Sequence, residues 1–503
     1  MEAYALPALK PFAASMERFL ALTQKLQSPT TDGMQLSSLE SLVANDGREL
    51  LRTLLEEKVQ LTGIGDLGPS LVGSDGVERT HRRTRSMNLK TIFGEILVTR
   101  QIYSKPDVDS LAPKEAILNL PVQSYSHELQ QRLARELAKG SYGEAIQSVQ
   151  IQTGVEIPRR QAEAIAKTAS ADFQAFYEGR QLAALRRVAK QNEFMILTTD
   201  GKGIVMLKRD LREETRKRAE ETDHKLRTRL SKGEKKNAKR MAQVASVYSI
   251  EPNERTPAEV ASGLKPAAPP RPQAKRVWAS VKDDAKDVIA QMFDEATRRD
   301  PYKKRTWAAL VDGQLYQLGL LEAEATKRNI TLIIILDIIH VIEYLWKAAR
   351  NFHSEASTEC EAWVSHYLEM VLDGNAKQAA AGMRRSATRQ DLEAREGVEA
   401  CAEYLHNNAP YMHYNEYLAI GAPIGTGVIE GACRHVVKDR MDVTGARWSL
   451  EGAEAVLRLR SIHASGDWQE YWTFHEAAEY ERNHRSHYAN PRRLEKTRLR
   501  IVK

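Results

Sequence analysis

Cysteine is scarce in this chain. The 503 residues include only three cysteines, and no two of them have C-x-x-C spacing. This argues against a disulfide framework and against a cysteine-rich zinc site, and it fits a reducing compartment.

Long apolar runs and a leader segment are also missing. The most apolar run, residues 330–342, is interrupted by Asp337 and His340 and is too short to span a bilayer. The chain opens Met1-Glu-Ala-Tyr, without the basic start and apolar segment of a signal peptide. We therefore expect a cytoplasmic protein without a membrane partner.

An acidic surplus is absent, and the balance of charge is basic. The net charge is +7, with 74 lysine and arginine residues against 67 acidic residues. This balance favours a polyanionic partner such as nucleic acid without proving one. Apolar residues make up 42% of the chain, which supports ordinary globular folding, and the length predicts several domains.

The pattern of residues 1–123 changes from helical spacing to β-strand alternation. Residues 87–93 and 96–103 flank Gly94-Glu95 and predict a hairpin. The run 79–85 makes its flank strongly basic. We expect an N-terminal helical region followed by a basic β-hairpin, whose charge fits either DNA phosphates or a solvated strand.

Residues 124–190 form a predicted helical segment with short interruptions. The turn at 154–157 precedes a helix that opens Pro158-Arg159-Arg160, which is the outline of a helix-turn-helix. Proline suits the first turn of such a helix. Arg159 and Arg160 would stand at the end that enters a major groove. An ordinary helical hairpin packed on a core fits the same pattern, so both interpretations stay open.

Three acids stand out in the second half of the chain. Apolar runs end at Asp200 and at Asp312, and glycine follows each aspartate. Glu430 lies near the start of a predicted helix with a basic face. Two aspartates at strand ends and a helical glutamate are what a two-metal phosphoryl-transfer site requires. Mg²⁺ prefers such carboxylate oxygens and keeps several waters.

The predicted order of elements from residue 191 to 340 is β, β, β, α, β, α, β. That is the order of a ribonuclease H-like core, in which the first and fourth strands are neighbours. Asp200 and Asp312 would then meet at the carboxyl ends of adjacent strands. We expect a multidomain α/β protein with a ribonuclease H-like mixed sheet. A helical insertion at 341–420, core completion at 421–465 and a basic tail at 466–503 would follow.

Each acid also has an ordinary structural explanation. An Asp-Gly pair after a strand is often only a turn, and an acid in a first helical turn favours the helix dipole. Asp337 closes another apolar strand and competes with Asp312 for the second aspartate. Choosing Asp337 would move the acid to the fifth strand. Its spacing from His340 favours a structural brace beside the site, although a lone histidine is more often part of a core.

Basic and aromatic residues follow the predicted glutamate. Arg434 and Lys438 come four and eight residues after Glu430 and would share its face, where they could hold neighbouring phosphates. Arg447 and Trp448 come shortly afterwards and are further predicted DNA contacts. Trp448 could stack on a flipped base, and a packed aromatic anchor is at least as compatible with the pattern.

Four stretches together resemble a known family: Thr199-Asp-Gly-Lys-Gly203, Leu336-Asp-Ile-Ile-His-Val-Ile-Glu-Tyr-Leu-Trp-Lys-Ala-Ala349, Gly427-Val-Ile-Glu430 and Gly445-Ala-Arg-Trp-Ser449. They resemble bacterial insertion-sequence transposases of the ISKra group, which are DDE transposases with a ribonuclease H-like core. Related transposases carry a helical insertion between the second aspartate and the glutamate, and a Cys-or-Asp-x-x-His signature after the fifth strand. Asp337-x-x-His340 fits that signature, so the resemblance implies Asp312 as the catalytic aspartate.

The resemblance also implies the cofactors. Two Mg²⁺ or Mn²⁺ ions would be bound by Asp200, Asp312 and Glu430, with Asp337 and His340 in supporting roles. Many relatives carry a cysteine pair after the hairpin that could bind zinc. Here residues 104–106 are Ser-Lys-Pro without a nearby cysteine, so no zinc is expected.

The function implied is that of a DNA transposase that cuts and joins the ends of its own mobile element. Its partners would be double-stranded DNA, as terminal inverted repeats and as target, and further copies of the chain. At least a dimer is expected on DNA, because two ends must be joined, and the protein would associate with the bacterial nucleoid. A metal-dependent nuclease and a non-catalytic DNA-binding regulator remain as alternatives.

Overall fold

The chain folds as two compact units, one of which is discontinuous in sequence. The computed structural model describes residues 11–180, 193–221, 238–263, 270–392, 395–443 and 445–491. The first unit comprises Met1–Glu178 and Trp468–Lys503, and the second comprises Gly179–Asp467. No helix in these described ranges is long and apolar enough to cross a membrane.

The first unit begins with helices and small antiparallel sheets, as the sequence predicts. Its helices are α1 (Ala13–Leu26), α2 (Leu36–Leu61), α3 (Pro113–Leu118), α4 (His127–Lys139), α5 (Tyr142–Thr153), α6 (Arg159–Ala169) and α7 (Phe173–Gly179). Its strands are β1 (Leu71–Val72), β2 (Glu78–Arg79), β3 (His81–Thr91), β4 (Gly94–Lys105) and β5 (Val108–Leu111). The predicted hairpin is β3 paired antiparallel with β4. Its tip lies two residues earlier than predicted, because Gly94, at a φ of 126°, already opens β4.

The predicted helix-turn-helix segment corresponds to α4, α5 and α6. Ser141 caps α5 in a reciprocal capping box with Glu144, and Gly154 ends the helix in the left-handed region. Helix α6 ends at Ala169, and α7 follows as a separate helix.

The second unit is built on a five-stranded mixed sheet. Its strands are β6 (Phe194–Val205), β7 (Lys239–Ile250), β8 (Gln273–Ser280), β9 (Thr306–Val311) and β10 (Leu332–Leu336). They lie in the order β10-β9-β6-β7-β8, with β10, β9 and β6 parallel and β7 and β8 antiparallel to their neighbours. The predicted adjacency of the first and fourth strands is present, and the strands follow in the predicted order with two short helices, Glu213–Glu220 and Pro257–Ala261, between the first three. The protein is therefore of the mixed α/β class.

Helices connect and cover this sheet. They are α8 (Glu213–Glu220), α9 (Pro257–Ala261), α10 (Ala285–Arg299) and α11 (Leu315–Lys327), followed by α12 (Ile338–Phe352), α13 (Thr358–Leu372), α14 (Ala376–Arg389), α15 (Glu396–Asn408) and α16 (Tyr414–Ala419). The last five form the predicted helical insertion. It shares one apolar core with the sheet, in which Ile196 and Leu310 belong to the same cluster as Leu345 and Leu405.

The unit closes with a helical segment of changing pitch. Helix α17 (Gly427–Ala432) continues as a π-helix over Cys433–Lys438 and a final α turn over Asp439–Met441. Helix α18 (Leu450–Ser465) then packs on β8, where the buried carboxylate of Glu454 accepts hydrogen bonds from Ser280 Oγ and Val281 N. This segment holds the predicted glutamate against the sheet, because α17 packs on β6 and β7.

The chain returns to the first unit as α19 (Trp468–Asn483). The sequence predicted a basic tail over 466–503, but Tyr471, Trp472 and His475 of this helix are buried, so it is packed structure. The last part of the predicted tail, residues 492–503, lies outside the described residues.

A buried ion-pair network links α19 to the loop before α7. His475 Nδ1 lies 2.7 Å from Asp172 Oδ2, and Arg482 donates to both oxygens of Asp172 at 3.0 and 3.1 Å. Burial opposes ionisation of Asp172, but the hydrogen bonds from His475 and Arg482 outweigh it and lower its pKa from 3.8 to about 2. Arg482 also pairs with Glu479. Asp172, His475 and Glu479 thus form an ion-pair network with the guanidinium of Arg482.

This network predicts a pH-dependent contribution to stability. A carboxyl with a lowered folded-state pKa stabilises the fold above its unfolded-state value, and the contribution is lost as the pH falls toward 2. Between pH 6 and pH 2 we expect the wild type to lose about 2 kcal/mol of unfolding free energy that Asp172→Asn does not lose. Urea unfolding at both pH values measures it. Glu481→Gln, on an exposed acid of the same helix, should instead follow the wild type.

Candidate metal centre

The register of the sheet brings two of the predicted acids together. The parallel pairing of β6 with β9 ends where Thr198 lies opposite Leu310. Asp200 and Asp312 each come two residues after these positions. They therefore leave adjacent strands at the same level, on the edge of the sheet where α/β proteins place their chemistry.

Asp200 differs from its prediction in one respect. It was predicted to end a strand, but β6 continues to Val205 and pairs Asp200 with Val244 of β7. The strand can continue because its antiparallel partner β7 is long enough to supply hydrogen bonds after β9 has ended. Asp200 thus lies where the parallel pairing stops, within a strand that remains paired on its other side. Its side chain is half-buried.

The backbone around Asp312 is tightly fixed. Its Oδ1 accepts a hydrogen bond from Gln314 N at 3.1 Å, and its carbonyl accepts one from Tyr404 Oη at 3.0 Å. Gly313 has a φ of 91°, and a Cβ there would lie 2.8 Å from Leu336 Cδ1. Glycine is therefore required at this turn. Burial, followed by the nearby charge of Asp312, raises the pKa of Tyr404, so the phenol remains a donor.

Asp337 lies beside Asp312 but is fully buried. Its backbone N–H donates to the carbonyl of Val311 at 2.8 Å, and its side chain has no exposed surface. Its Oδ1 accepts hydrogen bonds from Ile339 N and Thr426 N at 3.0 and 3.3 Å, and Thr426 Oγ1 donates to Oδ2. Asp337 therefore caps α12 and anchors the loop before α17.

The expected pairing of Asp337 with His340 is present. His340 Nδ1 lies 3.1 Å from Asp337 Oδ2. That hydrogen bond raises the pKa of His340 against the effect of burial, with further contributions from the charges of Asp312 and Glu343. Burial alone would raise the pKa of Asp337, but its hydrogen bonds to His340, Thr426 and Ile339 lower it. The two side chains form the brace that the sequence predicted.

Glu430 reaches the same edge from α17. It is exposed, and its carboxylate makes no hydrogen bond or ion pair within the described part of the chain. Ligand atoms of Glu430, Asp337 and His340 all lie within 4.8 Å of one another. Among the described residues only this group and the Asp172–His475–Glu479 network meet that limit. The ligand atoms of the predicted set, Asp200, Asp312 and Glu430, do not all lie within 4.8 Å of one another.

The carboxylates at this edge differ in what they can still bind. The two oxygens of Asp337 are already engaged by four hydrogen bonds. In contrast, Asp312 Oδ2 and both oxygens of Glu430 have no hydrogen-bond partner in the described ranges. Hard divalent ions take such oxygens together with water. Acidic side chains at this edge could therefore hold a metal ion.

Cys433 is a residue of the site that the sequence did not single out. Its Sγ lies 3.1 Å from Asp200 Oδ2, and it opens the π-helix that follows α17. Burial, followed by the charge of Asp200, raises the pKa of Cys433, so its thiol remains protonated and can donate. π-Helices are frequent at functional sites. Cys433 thereby links the segment that carries Glu430 to Asp200. The hydrophobic periodicity of the sequence does not predict this contact.

The predicted DNA-contacting cations of this unit are exposed. Arg434 has 72% of its side chain accessible, and its one ion pair among the described residues is a long one, 3.8 Å to Asp439. Lys438 and Arg447 are exposed as well. Such a weak surface pair holds Arg434 loosely. These side chains are available to phosphates.

Trp448 is not exposed in the way that base stacking needs. Its Nε1 donates to Met441 O at 3.1 Å, and the Arg440 guanidinium lies 4.7 Å from the ring centroid. Only 7% of the residue is accessible. The burial favours the packed anchor, the second of the two interpretations that the sequence left open.

In the first unit, Arg159 and Arg160 are exposed in the first turn of α6. Arg159 is 3.2 Å from Glu163, in a pair whose side chains are 75% and 48% accessible. This placement is compatible with a recognition helix, which remains a prediction.

No protein-family model and no curated protein matches this chain. The family resemblance therefore stays a prediction.

Proposed function

We propose that this protein is a DNA transposase of the DDE type, with a ribonuclease H-like core. The proposal is supported by Asp200 and Asp312, which follow paired positions of adjacent strands, and by Glu430, whose carboxylate lies near Asp337 at the same edge of the sheet. Strand order and helical insertion agree with such a core. A basic surface near the acids fits a nucleic-acid substrate.

In this proposal Asp200, Asp312 and Glu430 would hold two Mg²⁺ ions. The ions would supply activation of the attacking hydroxyl and stabilisation of the leaving 3′-oxygen. The contribution of the chain itself is positional. The Cys433 thiol orients Asp200, the Gln314 amide orients Asp312, and the Asp337–Thr426 contacts fix the loop that leads to Glu430.

Exposed cations of each unit would contact the DNA. Arg434, Lys438 and Arg447 would contact phosphates near the bond that is cut, because their segment carries or follows Glu430. Arg159 and Arg160 would contact the terminal repeats through α6. Phosphate contacts of this kind make binding strongly salt-dependent.

A strand-transfer assay tests the proposal. The substrate is a duplex that carries the inverted repeat bounding the reading frame, already cut to expose its 3′-hydroxyl. With Mg²⁺ and target DNA we expect joined products. Hydrolysis of the intact repeat without any joined product would indicate a nuclease, and salt-sensitive binding without either product would indicate a regulator.

A further inference from the structure

Large apolar side chains are exposed directly beside the metal centre. Leu315 and Tyr316 are 74% and 62% accessible, and Ile339 is 41% accessible. Leu315 and Tyr316 are the first residues of α11, immediately after the Asp312 turn. Ile339 lies in the first turn of α12, next to His340. All three therefore follow the carboxyl ends of neighbouring parallel strands.

Leu315 and Tyr316 do not belong to the core-facing side of α11. Helix α11 buries Gln317, Leu318 and Leu321 against the unit, and its first two residues lie outside that set. The Gln314 N–H···Oδ1 bond to Asp312 ties the start of the helix to the site. Leu315 and Tyr316 thus begin a helix that is tied to Asp312, and most of each side chain is accessible.

We propose that Leu315 and Tyr316 insert at the base step beside the phosphate that is cut and hold it unstacked. The inference rests on the proposed function, since the occupant of this edge is then a DNA duplex. Apolar side chains such as leucine act as wedges between base steps, and tyrosine offers a ring on which a released base stacks. A protein partner covering the same residues would obstruct access to the acids.

The chain offers a matched control in Tyr302. It is 81% accessible, yet it precedes β9, whereas Tyr316 follows it. A six-residue strand separates the two ends by roughly 20 Å. Tyr302→Ala removes an exposed tyrosine from the opposite end of the same strand.

The test uses a terminal-repeat duplex with 2-aminopurine next to the expected cleavage position. Before Mg²⁺ is added, we expect the fluorescence of 2-aminopurine to rise when wild type or Tyr302→Ala binds the duplex. It should not rise when the Leu315→Ala/Tyr316→Ala variant binds. After Mg²⁺ is added, the double variant should cut the paired duplex about 10-fold more slowly. On a duplex whose flanking step is already mismatched, its rate should return to within about 3-fold of wild type.

The outcomes separate this inference from the proposed function. If wild type cuts neither duplex, the proposed function fails and the wedge fails with it. If wild type cuts but the double variant matches it on paired DNA, the wedge alone is refuted. An equal defect on paired and mismatched duplexes also refutes it, because a folding or catalytic defect would not be rescued by unpairing.

Discussion

Asp200→Asn should reduce Mg²⁺-dependent cleavage of a terminal-repeat duplex by roughly 1000-fold, equivalent to about 4 kcal/mol of transition-state stabilisation. Asparagine keeps the size of the side chain, and its carbonyl oxygen can still accept one of the two hydrogen bonds that Gly201 N and Cys433 Sγ donate to Asp200. It removes the negative charge that a divalent ion needs. Fold and DNA affinity should therefore persist while the chemistry is lost. Gel analysis of labelled duplex measures the rate.

Asp287→Asn is the matched control for charge. Asp287 is exposed in the first turn of α10 and is not one of the acids of the proposed site. Its variant should cut DNA at the wild-type rate. Cleavage by Asp200→Asn within about 10-fold of that rate would remove Asp200 from the metal centre.

Glu295→Leu should destabilise the second unit by about 3–5 kcal/mol. The Glu295 carboxylate lies 2.6 Å from Arg276 Nη1 and 2.7 Å from Arg299 Nη2, and all three side chains are at most 5% accessible. Burial opposes ionisation of Glu295, but the charges of Arg276 and Arg299 outweigh it and lower its pKa to about 2. Removing the carboxylate leaves buried guanidinium charges without their counter-ion. Urea unfolding followed by tryptophan fluorescence measures the loss.

The neighbouring Asp294 supplies the comparison. Its ion pair with Arg328 is 2.6 Å long, but half of the Asp294 side chain is accessible to solvent. Asp294→Asn should cost less than about 1 kcal/mol. Equal losses for both variants would show that the buried network does not hold α10 against the sheet.

Much of the sheet was predictable because its strands are apolar runs of the right length. Strands β6 and β9 lie in the apolar runs that end at Asp200 and Asp312, and β10 lies in the run 330–342. The parallel direction of β9 and β10 follows from their connection through α11. The Asp337–His340 brace was also predictable, since aspartate at the end of a strand and histidine one turn later share a helix start.

Other features depend on tertiary packing that no local period encodes. The continuation of β6 beyond Asp200 depends on its pairing with β7, which is distant in sequence. The burial of Trp448 depends on Met441 and on the end of β6, with which its backbone is bridged. The packing of α19 is not evident from the sequence, because charged residues alternate with the buried Tyr471 and His475.

The choice between Asp312 and His340 as a metal ligand is the point on which the proposed site depends. Mn²⁺ affinity, measured by electron paramagnetic resonance for wild type, Asp312→Asn and His340→Gln, tests it directly. The proposed site predicts at least about 10-fold weaker binding for Asp312→Asn and little change for His340→Gln. The reverse order would contradict it and would place the ion on Asp337, His340 and Glu430 instead.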